Sequence, residues 1–219
     1  MKVFILIIVL IAFCKSGINQ NFYGGIKAGV NVSQVDGDGF GGFKKIAPFG
    51  GVYVRNTFGN NLGGMLEIKY KHKGAKEVRR NEAGVVFFKH EIRLDYIEIP
   101  VTLNFKIEKL LIPSLINYEF RNDMFLEFGI SYSYLISAKE VEGDGSTYTP
   151  LARPYNSYDL LTHQGFTYRM SDNFLISFRH YWTFFFFMFP IREHPGGSKY
   201  WFDHGEYNRN AELSVMYEF

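Results

Sequence analysis

Apolar and polar residues alternate with a period of two along most of this chain, a pattern typical of strands that have one apolar face. The segment NAELSVMYEF, residues 210–219, shows it clearly, with every second residue apolar from Ala211 to Phe219. Seven earlier segments repeat the pattern, so the sequence predicts eight strands. The eight segments cover residues 26–33, 49–56, 66–71, 97–106, 126–134, 165–170, 174–179 and 210–219.

The predicted connections fall into two length classes. Tight turns are expected at residues 58–61 and 171–173, which are rich in turn-forming residues. Long links are expected at residues 34–46, 74–90, 139–157 and 182–209. In an up-and-down order the tight turns gather at one end and the long links at the other, as in outer-membrane barrels. The link from Ile107 to Asp123 is too long for this plan, and we interpret it as an amphipathic segment at the inner rim.

The start of the chain has a different pattern. Lys2 precedes twelve apolar residues, VFILIIVLIAFC, and Lys15-Ser16-Gly17 follows. A positive start, a short apolar core and small residues predict a secretory signal peptide, cleaved between Ser16 and Gln20. The expected organisation is therefore a signal peptide at residues 1–20 and one domain at residues 21–219. Cys14 is the single cysteine, and Phe13 before it disfavours a lipoprotein anchor.

Composition narrows the class further. Aromatic residues make up 18% of the chain and apolar residues 47%, while no run after the signal is long enough for a transmembrane helix. The net charge is +2 and no dense basic run occurs, so a nucleic-acid partner is not expected.

The alternation fits two barrels, a soluble one with an apolar interior and a membrane barrel with an apolar exterior. Tyrosines on the apolar faces lie mostly near strand ends, where rings bridge lipid and water. Tyr217 and Phe219 on the apolar face match a membrane-insertion signal read by barrel-insertion machinery. These features predict an all-β, eight-stranded, antiparallel, up-and-down transmembrane β-barrel in the cell outer membrane, in contact with its lipid.

The polar faces carry charges of both signs, which a membrane barrel would place in its lumen. An eight-stranded barrel is just wide enough for its interior to be filled by side chains. We therefore expect a salt-bridged, plugged interior, with a proton or ion path as the alternative. The predicted lumen charge network comprises Lys27, Glu67, Lys69, Glu98, Glu127, Arg169, Arg179 and Glu212.

Several segments carry a family resemblance. They are GIKAGVNVS from Gly25, GGVYVRNTFGNNLGGMLEIKYKHKGAK from Gly50, YIEIPVTLNFK from Tyr96, FLEFGISYSYLISAK from Phe125 and MYEF from Met216. In these segments the chain resembles the PorT-like outer-membrane β-barrel proteins of Bacteroidota, which are Gram-negative. The resemblance covers most of the chain after the signal and implies an eight-stranded barrel with periplasmic termini. It also implies a link to protein secretion across the outer membrane.

No motif in the sequence indicates catalysis. His90, His163 and Ser177 are scattered, and no nucleophile motif frames a serine. The loop residues His194 and His204 match no standard metal-ligand spacing, so no metal and no cofactor are expected. The sequence thus predicts a structural or partner-binding protein of the cell envelope, with an envelope or secretion protein as partner. A narrow channel or transporter and a rim-located hydrolase are the alternatives.

Overall fold

The computed structural model describes residues 22–58, 61–112, 116–143, 148–150, 154–183, 189–193 and 205–219, and for residues 108–122 and 148–150 it describes the backbone alone. The predicted signal peptide lies outside the described residues. Within the described ranges the chain is all strand and turn, with no helix long and apolar enough to cross a membrane.

The described residues form ten strands. They are β1 (Phe22–Asp36), β2 (Lys45–Phe58), β3 (Leu62–Arg80), β4 (Val86–Ile112), β5 (Ile116–Gly143), β6 (Tyr148–Pro150), β7 (Tyr158–Arg169), β8 (Phe174–Trp182), β9 (Arg192–Glu193) and β10 (Gly205–Glu218). The short β6 and β9 pair with β5 and β10. The other eight are antiparallel neighbours in chain order, and β10 returns to pair with β1 along twelve residues. The sheet is thereby closed into an eight-stranded barrel, as predicted.

The two ends of the barrel differ. The tight connections β2–β3 and β7–β8 lie at one end, here called the turn end, together with Phe22 and Phe219. The connections β1–β2, β3–β4, β5–β7 and β8–β10 lie at the other, here called the loop end. The predicted tight turn at residues 171–173 is confirmed, since β7 ends at Arg169 and β8 begins at Phe174. In the predicted turn at residues 58–61, Gly59 and Asn60 lie outside the described residues, while β2 ends at Phe58 and β3 begins at Leu62.

Apolar side chains point outward around the barrel. Ile26, Leu66 and Ile68 are each about half exposed, whereas Glu67, between the last two on β3, is buried. The predicted orientation is confirmed: an apolar belt surrounds the barrel, and polar groups face its interior. A continuous apolar belt is stable in contact with lipid, whereas in water it would be unfavourable. This is therefore the arrangement of a membrane-spanning barrel rather than a soluble one.

Two of the predicted links, at residues 74–90 and 107–123, are largely strand in the described residues. Residues 74–90 were predicted to be a long link, but β3 continues to Arg80 and β4 starts at Val86. In these extensions of β3 and β4, the apolar side chains of Ala75, Ile92 and Leu94 face inward and charged side chains face outward. Apolar residues therefore stop facing outward at this height, although both strands continue. The Ile107–Asp123 link likewise forms paired extensions of β4 and β5 rather than an amphipathic segment on the rim.

A β-bulge in β5 changes which residues face inward. Asp95 pairs with Ser137 and Tyr96 with Leu135, which leaves Ile136 as an inserted residue. Below the bulge, odd-numbered residues such as Ser133 are buried, and above it the even-numbered Glu140 is buried while Lys139 is exposed. The inserted residue therefore exchanges the two faces of the upper part of β5.

Closure between β1 and β10 brings the two backbones very close at Gly25 and Gly29 of β1. A Cβ added to Gly29 would lie 2.2 Å from the Leu213 carbonyl oxygen, whereas one added to Gly24 would meet nothing within 4 Å. We expect Gly29→Ala to push β1 and β10 apart and lower the yield of closed barrel. The measurement is the fraction with folded, heat-modifiable mobility after refolding in detergent. Gly24→Ala is the matched control, and equal yields of the two variants would show that closure does not depend on the close contact at Gly29.

Candidate functional site

The middle of the barrel holds a network of ten charged side chains, each at most 2% exposed. Five are cations and five are anions, so within the described residues this layer is electrically balanced. Seven of the eight barrel strands contribute, and β3 supplies four successive inward residues. The members of this central network are Lys27, Lys69, Lys71, Lys73, Arg179, Glu67, Glu98, Glu127, Asp159 and Glu212.

Every member of the central network has an oppositely charged neighbour. On one side Arg179 lies between Glu67 and Glu127, with its Nε 2.5 Å from a Glu127 oxygen. Lys27 approaches the same Glu67 at 3.4 Å. Because two carboxylates and two cations share these contacts, no charge in this half of the network is left uncompensated.

The other half is built around the lysine row of β3. Lys69 lies 3.0 Å from Glu212 and 3.2 Å from Glu98, and Lys71 contacts both carboxylates. Lys73 extends the row, 2.8 Å from Glu98 and 3.2 Å from Asp159. The lysines therefore share the carboxylates of the facing strands, which offsets the repulsion between successive cations.

Aromatic and hydroxyl groups fill the remaining space in this layer. The Tyr181 hydroxyl donates to Glu212 and accepts from Lys69, and the Lys71 ammonium lies 4.0 Å from the centre of the Tyr181 ring. His163 contacts the Thr102 and Ser131 hydroxyls at 2.9 and 3.1 Å. The central network is thus packed as well as paired, which leaves little room for water.

Apolar layers close the central network at both ends. Toward the turn end, Tyr53, Met65, Leu175 and Met216 form a buried cluster. Toward the loop end, six residues with at most 5% exposure form a second one. They are Val35, Ala75, Ile92, Leu94, Tyr96 and Ile191. The charges therefore lie between two dry layers.

A second polar cluster caps the loop end. Arg192 on β9 donates to Glu140 at 2.6 Å and contacts Glu206, and both carboxylates are buried. His90 and the Tyr155 hydroxyl also reach Glu140, at 3.0 and 2.9 Å. Burial alone would raise the pKa of Glu140, but hydrogen bonds from His90, Arg192 and Tyr155 outweigh it and lower that pKa to about 2. The cap is therefore stabilised above the ordinary pKa of a carboxyl group and weakens as the pH falls toward 2.

The structure brings together seven of the eight residues predicted for the lumen network and places the eighth elsewhere. Arg169 lies near the turn end, where it and Arg55 pair with Glu218 at 2.9 and 2.7 Å. The apolar cluster of Tyr53, Met65, Leu175 and Met216 separates it from the central network.

The residues predicted as a membrane-insertion signal face outward at the turn end. The Tyr217 ring meets Phe174 and Phe219 edge to face, at 5.1 and 5.6 Å between ring centres. Phe219 is 74% exposed, and its backbone nitrogen donates to Gly24. Both side chains are therefore accessible from outside the barrel, while their role in insertion stays a prediction.

Several members of the interior were not predicted. Lys73 continues the spacing of Lys69 and Lys71 by two, so extending the alternation into KYKHKGAK would have found it. No local pattern signals Arg192 or Glu206, because their partners are distant in sequence.

The histidines considered as metal ligands, His194 and His204, lie outside the described residues. No group of three or more metal-ligating His, Cys, Asp or Glu side chains occurs in the part of the chain that the structure describes.

An apolar outer belt around a closed antiparallel cylinder with a charged, paired interior defines an outer-membrane β-barrel. The family comparison agrees. Residues 17–186 match the model of the outer membrane protein beta-barrel domain, and the chain belongs to this family. Its location is therefore the outer membrane. Short turns of such barrels commonly face the periplasm and long loops the exterior, so we expect the turn end on the periplasmic side.

The solved structures that are similar to this chain include those of three bacterial proteins. Ail, the attachment invasion locus protein of Yersinia pestis, solved with the heparin analogue sucrose octasulfate, is 14% identical, with a TM-score of 0.44 over 91% of this chain and 99% of that one. Neisserial surface protein A is 12% identical to this chain, with a TM-score of 0.39, and the match covers 92% of this chain and 98% of that one. The outer membrane protein OprG of Pseudomonas aeruginosa is 11% identical to this chain, with a TM-score of 0.34, and the match covers 91% of this chain and 95% of that one. The search of curated proteins gave no significant match.

The pairing in the central network generates a stability prediction. Arg179→Met leaves Glu67 and Glu127 without their main partner, and breaking a buried pair in this way costs about 3–5 kcal/mol. We expect a correspondingly lower unfolding free energy in detergent, measured by denaturant titration. Adding Glu127→Gln should recover part of the loss, since it removes one uncompensated charge.

The control for this prediction is Arg80→Met, because Arg80 is exposed and bonds only the Gly84 carbonyl among the described residues. An exposed substitution of this kind should change stability by less than about 0.5 kcal/mol. Equal losses for Arg179→Met and Arg80→Met would contradict the pairing argument.

Proposed function

We propose that this chain is a non-conducting and non-catalytic outer-membrane barrel that binds a protein partner of the cell envelope through its exterior. The observation that carries the proposal is the filled interior. A barrel whose lumen is closed across its middle by buried side chains has only its outer surfaces and its two ends for function.

The layered interior supports the absence of conduction. An ion crossing the barrel would have to pass the paired central network and two apolar layers, with Ile92, Leu94 and Tyr96 at 0% exposure in one of them. Opening such a path would separate buried ion pairs and wet apolar surface, and both steps are costly. This favours a plugged barrel over a narrow channel or transporter.

The histidine contacts support the absence of catalysis. His163 meets Ser131, which resembles a nucleophile and base, but its second nitrogen contacts Thr102 rather than a carboxylate. All three side chains are buried within the lumen, where a substrate has no access. His90 is also buried and contacts Glu140 in the cap. The rim hydrolase therefore has no supporting geometry in the described residues.

The binding surface is the part of the β3–β4 hairpin that projects beyond the apolar belt, here called the wall. Beyond the apolar belt, β3 and β4 stay paired from Gly74 and Arg93 to the hairpin turn, a length of roughly 20 Å at the usual strand rise. Val85 and Phe87 near its tip are 60% and 51% exposed. Exposed large apolar side chains on a rigid hairpin outside the membrane are typical of a protein-binding surface.

The inner face of this wall is held rigid. Phe40 from the β1–β2 connection packs 5.6 Å from Phe88 and 5.0 Å from His90, and the Arg79 guanidinium lies over both phenyl rings. The hairpin therefore presents Val85 and Phe87 from a supported backbone, which reduces the entropy lost on binding.

The nature of the partner follows from the family resemblance. The segments YIEIPV and KHKGAK resemble the PorT-like proteins of Bacteroidota, whose namesake member is tied to protein secretion across the outer membrane. We extend the proposal to a component of such an export assembly. Deletion of the gene should then reduce the amount of secreted protein, and restoration by the Phe87→Ser variant should be incomplete.

Absence of conduction is directly measurable. The purified protein in planar bilayers should give no current steps above the lipid background. The double variant Ile92→Ser/Leu94→Ser, which makes the apolar layer polar, should leak and so show that the assay responds. Current steps from the unmodified protein as large as those of the variant would contradict a plugged barrel and support the channel.

The binding surface is tested by photo-crosslinking in the native cells. A photoreactive residue at Phe87 should capture a specific protein, whereas one at Ile99 in the apolar belt should capture lipid. The adduct at Phe87 should disappear when Val85 is changed to Asp. Capture of lipid alone at both positions would contradict partner binding through the wall.

A further inference from the structure

The barrel wall has a gap at the loop end between β2 and β3. The two strands are paired from Phe58 and Leu62 up to Phe49 and Lys71. Beyond that point, residues 45–48 of β2 pair with β1 alone, and residues 72–80 of β3 pair with β4 alone. The strands diverge and leave a cavity of about 550 Å³ in the outer surface, which we call the seam.

Interior side chains close the inner side of the seam. The free edge of β3 leaves backbone carbonyls without ladder partners, and side chains of β1 bond them instead. Asn31 Nδ2 donates to the His72 oxygen at 2.8 Å, and Ser33 Oγ donates to the Gly74 oxygen at 2.9 Å. The gap is therefore a built feature with a satisfied edge rather than a frayed strand end, and it opens outward.

A buried cation lies at the bottom of the seam. The Lys45 side chain is 7% exposed, and its ammonium donates to the Ile92 carbonyl at 2.7 Å and lies 3.5 Å from Glu91. An ammonium has three donor hydrogens, so one remains for a further acceptor. Burying a charge with a free donor is favourable only where an acceptor is available.

The lining of the seam is mainly cationic. Lys44, Lys76 and Arg93 join Lys45, and Glu91 is the acid among the described lining residues. At the margin Glu77 pairs with Lys44, and Asp95 lies 3.4 Å from Arg93.

One further cation strengthens the field at the seam. Lys139 lies directly opposite Arg93 in the β4–β5 ladder, whereas Lys76 lies opposite Glu91 in the β3–β4 ladder. Like charges directly opposite one another destabilise a sheet unless an anion lies between them. Since the seam and its margin hold more cations than acids, it has the electrostatic character of an anion site.

The position of the seam along the barrel indicates what kind of anion it meets. The outward side chain below it on β3 is Tyr70, part of the apolar belt, and Ile46 at its edge is 69% exposed. The seam therefore begins where the hydrocarbon ends. At that depth the outer leaflet presents lipid headgroups, with acyl chains directly below against Ile46 and Tyr70.

We propose that the seam binds the phosphate of an anionic lipid of the outer leaflet, with Lys76 and Arg93 contacting the phosphate oxygens and Lys45 supplying a donor from below. Arginine and lysine together suit a phosphate, one through its planar fork and the other as a compact charge. This binding rests on the membrane location alone and is independent of any protein partner.

Native mass spectrometry of the delipidated protein tests the proposal. The probes are lipid A carrying both phosphates, the same lipid without phosphate, and inorganic phosphate. The protein should bind the phosphorylated lipid preferentially, and Lys76→Gln/Arg93→Gln should weaken binding about tenfold or more. Arg79→Gln/Arg80→Gln removes the same charge at the hairpin tip and should leave binding unchanged.

Three results would overturn it: equal binding by the two double variants, equal binding of the lipid without phosphate, or displacement of the lipid by inorganic phosphate at comparable concentration. The last would assign the seam to a free anion.

A second measurement uses a protein with every seam cation intact. A photoreactive residue at Ile46 in phosphatidylcholine vesicles containing phosphorylated lipid A should capture lipid A beyond its mole fraction. The same group at Leu160, on the other side of the barrel, should capture both lipids in proportion to their amounts. Proportional capture at Ile46 as well would refute the proposal.

Discussion

The structure depends on one constraint: a barrel closed within lipid must neutralise its interior charges with one another. No water layer inside is thick enough to solvate ten ionised groups, and lipid outside offers no partner. The central network satisfies this constraint by equal numbers of cations and anions, drawn from seven strands. Because the partners come from strands distant in sequence, the network is complete only when the barrel is closed. The same pairing that permits burial therefore also specifies closure.

The layers above and below follow from the same constraint. Apolar clusters around Met65 and Ile92 separate the central network from the polar groups at the two ends, Glu218 with its arginines and Glu140 with Arg192. The charges of each polar layer are thus paired within that layer, and each apolar layer keeps water from competing for the ion pairs. Polar groups also find partners at the seam between β2 and β3, where side chains of β1 bond backbone carbonyls of β3 that have no ladder partner.

The sequence predicts the membrane-spanning part of the barrel well, because there the lipid imposes one rule on every strand. Alternation identified all eight strands and placed Glu67 inside and Ile68 outside. It failed above the belt, where water replaces lipid and the rule reverses: Ile92 faces inward and Arg93 outward. The prediction that Arg169 faces the interior is correct, but Arg169 lies near the turn end and not in the central network. Alternation shows which side of the sheet a residue faces and not its position along the barrel axis. The cap was not predictable, because Arg192 meets Glu140 only through the tertiary fold.

The inserted residue at Ile136 has a consequence for how this chain can change over time. Because Ile136 is extra to the ladder, a chain without it would keep Ser137 opposite Asp95 and Glu140 opposite Ile92, with Glu140 still beside Arg192. One residue more in this strand would instead exchange the two faces above it and turn Glu140 toward solvent. Related sequences should therefore vary freely in the outer connections and, in the upper part of β5, tolerate loss of the inserted residue better than a further insertion.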